Sequence, residues 1–274
     1  MTRLRPSAFG VLALGLAAMP LAAQDATPEP TTRWNLEGLQ WGTCIEFLVQ
    51  PELTRKLLPS GALPLRADAS KLVPAVARVV ADQPEFAGWS PASLCFFAFD
   101  AVQIGSRRVV GGENTTGPVV GVLSVAARRE GPLGSDADVA FRVLTTSWQV
   151  EKAAENERNS VQVQTIRASF GTAPRGTDDR YVLRIGKTVI TWDGHPASDS
   201  IAATPFRRSY VADGGGDNKP WRLDLSVNPA SQRSLVGAVI VQGKDNLAKA
   251  LAGSPIRFVG PFYKGGSGEV LLAH

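Results

Sequence analysis

The sequence predicts a mainly β domain of the α+β class: a single antiparallel, barrel-like domain with two to four short helices. Three observations lead there. Past Trp89 the chain is a succession of runs rich in Val, Ile, Thr and aromatic residues, separated by turn residues, the way strands read in a β array. Segments with helical spacing are few and short. No unit recurs at a solenoid or propeller period, and a long non-repeating β chain hides its edges by closing on itself.

The chain opens with Arg3 and Arg5, an apolar run from Ala8 to Ala18, and Met19-Pro20-Leu21-Ala22-Ala23 ahead of Gln24. A basic start, an apolar centre too short to span a bilayer comfortably and small residues at the end read as a signal peptide over 1–23, cleaved after Ala23. Export to the periplasm or the extracellular medium is the expectation. Residues 24–32 are polar and proline-bearing and read as a flexible leader; residues 33–274 form the domain.

Gly42–Val49 reads as a strand, and Pro51 starts a short helix, where its missing N–H is harmless. Leu72, Val73, Val76, Val79 and Val80 recur near helical spacing, predicting a helix over 70–82 capped by Ser70. Strands are then expected at Ser93–Val102, Pro118–Ala127, Val139–Thr146, Val161–Phe170, Tyr181–Ile185, Thr188–Trp192, Trp221–Val227, Val236–Val241 and Glu269–Leu272. Gly105-Ser106 and Gly186-Lys187 are tight-hairpin candidates. Short helices are read near Glu151–Arg158 and Asn246–Leu251, the latter with Asp245 as cap and Gly253 as stop.

Twenty-nine basic against 25 acidic residues give a formal net charge of +4, and two of the basic residues belong to the signal segment. The arginine pairs 107–108, 128–129 and 207–208 are dispersed and read as solvated strand ends, so no nucleic-acid partner is expected. No second long apolar run follows residue 23, so no membrane span is expected in the domain. Cys44 and Cys95 are the two cysteines, each in a strand-like run, and bridge if those strands are neighbours; otherwise they are two buried thiols.

His195 in Gly-His-Pro and the terminal His274 have no partners in sequence, no nucleophile elbow is present, and Gly214-Gly215-Gly216 lacks the residues of a phosphate loop. Asp136-Ala137-Asp138 alone is an ordinary loop pattern, so neither a metal nor a cofactor is expected. Asn114-Thr115-Thr116 fits a glycosylation acceptor.

One block stands out: Cys44-Ile45-Glu46-Phe47-Leu48-Val49-Gln50-Pro51-Glu52-Leu53, then Leu57-Leu58-Pro59-Ser60-Gly61. A strand feeding a proline-started helix that ends at Leu-Leu-Pro resembles the opening of acetoacetate decarboxylase-like proteins. That resemblance implies a β domain enclosing an apolar cavity, and in the family a lysine of a Trp-Gly-Phe-Pro-Lys-Lys type segment forms a Schiff base with a β-keto acid. The matching segment here is Trp148-Gln149-Val150-Glu151-Lys152-Ala153, which puts Lys152 at the nucleophile's place. Ala153 replaces the second lysine and Glu151 the proline, and a carboxylate beside Lys152 favours its ammonium form. With the paired lysine missing, the leading expectation is a non-catalytic module holding a small apolar molecule in the barrel, with Trp148, Phe97 and Phe99 as lining candidates. A decarboxylase-like lyase acting through Lys152 is the alternative, and a structural or partner-binding exported protein is a third reading.

Overall fold

The structure, a computed structural model, describes residues 32–59, 61–70, 72–111, 117–129, 136–156, 163–172, 179–196, 199–213 and 220–273. The expected signal peptide, the expected leader up to residue 31, the Asn114 triplet, Gly214–Gly216 and His274 lie outside these residues.

Among the described residues, sixteen strands occur in the order β1 (Thr32–Val49), β2 (Ala62–Pro64), β3 (Ser90–Ile104), β4 (Arg107–Val110), β5 (Val119–Arg129), β6 (Asp136–Thr145), β7 (Val163–Thr165), β8 (Arg167–Thr172), β9 (Asp179–Ile185), β10 (Thr188–Pro196), β11 (Ile201–Ala202), β12 (Phe206–Asp213), β13 (Pro220–Arg233), β14 (Leu235–Gln242), β15 (Arg257–Val259) and β16 (Phe262–Ala273). The α-helices among these residues are α1 (Pro51–Arg55), α2 (Pro74–Asp82), α3 (Trp148–Asn156) and α4 (Asn246–Ala252).

Seven strands close a barrel in the order β1-β16-β13-β12-β6-β5-β3 and back to β1. The expected barrel is therefore present, but it is mixed rather than antiparallel throughout, because β12 runs parallel to β6. The rest of the chain also departs from a lone barrel: β8, β9, β10 and β14 form a separate antiparallel sheet.

Two apolar cores follow from the period-2 alternation of the barrel strands. Inward residues such as Trp34, Leu36, Phe97, Phe99, Val122, Leu223 and Leu272 form one. Outward residues of β1, β3 and β5, among them Ile45, Phe47, Leu94 and Leu123, form the other with the second sheet and α4. An aromatic cluster seals that layer, with Trp192 and Tyr181 stacked at 4.4 Å and Trp41 5.2 Å from Tyr181. Inside the barrel, Gly42 is needed for packing: a Cβ there would fall 2.0 Å from the Phe97 ring.

Local chemistry accounts for most element ends. Gly105 and Gly186 take positive φ in the β3–β4 and β9–β10 hairpins, where the sequence placed turns. Asp245 caps α4 by accepting from the Ala248 N–H at 2.8 Å, as expected. The second helix differs from expectation. It starts at Pro74, since the residue before a proline is driven out of helical geometry and Val73 is extended. Ser70 accordingly caps nothing and donates its hydroxyl to the Arg66 carbonyl. His195, read as a loop residue, lies in β10 opposite Val236.

Candidate functional site

The inward series of four strands changes character part-way along the barrel. On β1 it runs from Trp34 and Leu36 to Cys44 and Glu46; on β3, from Phe99 and Phe97 to Cys95 and Ser93. On β5 it runs from Val120 and Val122 to Ser124 and Ala126, and on β12 from Ala212 and Tyr210 to Arg208 and Phe206. Large apolar side chains fill one half of the barrel, while small and polar ones leave a cavity of about 1020 Å³ in the other. Leu65, Leu72 and Val73 from the segment leading into α2 and Val76 from its first turn, together with Pro261 and Tyr263, complete its walls.

Arg208 holds the polar floor of this cavity. Its Nε donates to Asp138 Oδ2 at 3.0 Å and its Nη1 to Glu46 Oε1 at 3.1 Å. The same Nη1 lies 3.5 Å from Cys95 Sγ. The Glu46 side chain is 9% exposed and that of Arg208 21%, so neither charge is well solvated. Burial pushes the Glu46 carboxyl above the ordinary carboxylate range, although Arg208's charge pulls the other way. For Arg208 the balance falls the other way. Burial works to lower it, but the charges of Glu46 and Asp138 outweigh that and hold the guanidinium above its ordinary value. Burial likewise pushes the Tyr210 and Tyr263 phenols up.

Cys44 and Cys95 sit directly opposite each other on β1 and β3, with an S–S distance of 2.06 Å and a Cα–Cα distance of 4.0 Å. The strands are neighbours, the condition set for a bridge, and the two sulfurs stand at bonding distance. Close by, Ser93 Oγ and Ser124 Oγ share a hydrogen bond of 3.0 Å.

The structure does not bring Lys152, Trp148, Phe97 and Phe99 together. Helical phase decides the first two. On α3, Val150, Ala153 and Ala154 turn into the barrel core, so Trp148 and Lys152, one turn apart, turn outward. Trp148 is 65% exposed, and Lys152 pairs with Glu155 at 2.7 Å in solvent. That hydrogen bond and Glu155's charge hold the lysine above its ordinary value, the reverse of what a nucleophilic amine needs. Phe97 and Phe99 do point into the barrel, but in its filled half. Phe97 stands behind the cavity wall, 5.2 Å from the Phe206 ring and 6.3 Å from that of Tyr263.

Sequence reasoning missed Arg208, Glu46 and Asp138 as a group. The signal was available in part: Phe206-Arg207-Arg208-Ser209-Tyr210-Val211-Ala212 alternates, and Arg208 falls on its apolar phase with Phe206, Tyr210 and Ala212. Glu46 similarly interrupts an otherwise apolar run. Among the described residues, no cluster of three or more His, Cys, Asp or Glu side chains gathers as a metal site, and no helix is long and apolar enough to cross a membrane.

No family model matches the sequence, and no curated protein matches it. Among solved structures the chain is similar to acetoacetate decarboxylase from Legionella pneumophila subsp. pneumophila, at 10% identity and a TM-score of 0.45, covering 97% of this chain and 96% of that one. It is also similar to an acetoacetate decarboxylase-like enzyme from Sphingomonas wittichii RW1, at 9% identity and a TM-score of 0.41, covering 96% and 98%. The likeness is one of overall course, with no site residue carried over from it.

Proposed function

We propose that the chain is an exported binding protein that holds one small, largely apolar molecule in the open half of its barrel, without catalysing a reaction. The observation that carries this reading is the cavity of about 1020 Å³, walled mostly by apolar side chains with a single charged cluster at its floor. Concave, mostly apolar pockets with a few placed polar groups are the usual form of small-molecule sites. No lysine is among the described lining residues, which favours binding over Schiff-base chemistry. A guanidinium has five N–H donors and Arg208's two carboxylate partners do not exhaust them, so the fitting molecule carries one acceptor group at the end that reaches Arg208. The Cys44–Cys95 bridge supports export, since disulfides persist in oxidising compartments.

The test is a fluorescence titration with the neutral apolar dye N-phenyl-1-naphthylamine. Saturable binding near one equivalent is expected, weakened in Ala126→Trp, which projects an indole into the cavity, and unchanged in Lys152→Ala, whose side chain faces solvent. Absence of saturable binding, or binding indifferent to Ala126→Trp, overturns the reading.

A further inference from the structure

The two sulfurs of the bridge are not equivalent. Cys44 is 7% exposed and lines the cavity, whereas Cys95 is fully buried and is not among the lining residues. A molecule inside the cavity therefore meets Cys44 first. The buried sulfur is the one next to a cation, with Arg208 Nη1 3.5 Å from Cys95 Sγ. Thiol–disulfide exchange proceeds when a thiolate attacks one sulfur and the other departs as a thiolate, faster the more stable that departing thiolate is. A neighbouring arginine stabilises a thiolate. Access and leaving-group stabilisation thus select the same direction of attack.

We propose that the Cys44–Cys95 disulfide is a thiol-exchange site, at which a small-molecule thiol in the barrel cavity attacks Cys44 and Cys95 leaves as a thiolate beside Arg208. In the first step the incoming sulfur bonds to Cys44 Sγ, the Cys44–Cys95 bond breaks, and its electron pair goes to Cys95 Sγ. In the second, another thiolate attacks the small-molecule sulfur of the mixed disulfide and Cys44 leaves as a thiolate. Two thiols are oxidised to one disulfide and the protein bridge is reduced to two cysteines. Glu46 and Asp138 compete for Arg208's charge.

The barrel tolerates the cycle, because the bridge joins strands that are already paired. The β1–β3 ladder continues on both sides of it, from Trp34 opposite Ile104 to Val49 opposite Ser90. Breaking one covalent link within such a ladder leaves the backbone hydrogen bonds in place, so exchange needs no unfolding. The inference uses the cavity but not the apolar molecule proposed for it, and dye binding and thiol exchange succeed or fail independently.

The experiment treats the oxidised, folded protein with 2-mercaptoethanol, quenches in acid, removes the thiol, alkylates with N-ethylmaleimide and maps the peptides. The mercaptoethanol adduct is expected on Cys44 and the maleimide on Cys95, in about tenfold excess over the reverse pattern. An even or reversed distribution overturns the proposal, as does a folded protein that resists thiol concentrations able to reduce the urea-unfolded chain. Folded Arg208→Gln is expected to exchange about three- to tenfold more slowly, and an unchanged rate removes Arg208 from the mechanism. Should that variant not fold, the wild-type peptide map decides alone.

Discussion

The two halves of the barrel interior are built from the same strands and differ in what those strands turn inward. In the filled half Trp34, Leu36, Phe97, Phe99, Trp221 and Leu223 interlock, and α3 adds Val150, Ala153 and Ala154. In the open half the same ladders present Ser93, Ala126, Glu46, Asp138 and Arg208 around empty space. Stability and chemistry are thus separated along one scaffold. The filled half supplies buried apolar area, and the open half gives up some of that area to an ion cluster and a cavity beside the disulfide.

Three measurements sharpen or break this division. The largest effect is expected in the filled half. Phe97→Ala removes a fully buried ring packed against Phe206 and Tyr263 and should cost about 3–5 kcal/mol in urea denaturation. A cost under about 1 kcal/mol would mean that this half is not the close-packed one. The next effect is in the open half. Arg208→Met leaves Glu46 and Asp138 facing each other without their cation. At 21% side-chain exposure this should cost about 2 kcal/mol, less than for a fully buried pair. Adding Glu46→Met should recover most of that loss, because the penalty lies in the stranded charge. A double variant no more stable than the single one would show that the cluster's shape, rather than its charge, matters.

The smallest effect is a slope with pH. Burial raises Glu46 above its ordinary value of 4.5, so the folded chain keeps a proton there that the unfolded chain has already released. Over that interval the folded state binds more protons, and stability falls as pH rises from about 4.5 through the raised value. Glu46→Gln should flatten this part of the stability-against-pH curve. A slope that persists in the variant assigns it to another group.

The strands with regular apolar alternation were the more legible in sequence. β-branched and aromatic residues at period 2 marked β3, β5 and β9 to within a few residues, and the Asp245 cap and the two glycine hairpins followed from local chemistry alone. β16 was seen only at its end. Its first half, Lys264-Gly265-Gly266-Ser267-Gly268, lacks side chains that read as a strand and is held there by pairing with β13. β12 was not seen because Arg207-Arg208 reads as solvent-facing, and the open half depends on that strand. A charge turned inward looks the same in sequence as a charge turned outward; only the ring of neighbours distinguishes them. Lys152 illustrates the converse, since a motif alignment put it at a catalytic place and the phase of α3 put it in water.

The parallel contact between β6 and β12 has one more consequence. Around a closed ring, strand directions can alternate without interruption only if the strands are even in number. With seven, at least one neighbouring pair must point the same way, so a seam is a matter of parity and the chain can choose only where to put it. Here it falls between the strands that carry Asp138 and Arg208, with Asp138 opposite Tyr210. Among the described residues three pairs register across that seam, Tyr210 with Asp138 to Ala212 with Ala140, and the Arg208–Asp138 contact rivets it from the inside. Removing that contact would loosen the ring at its shortest joint, so the ion cluster is a fastening for the barrel as well as the floor of its cavity.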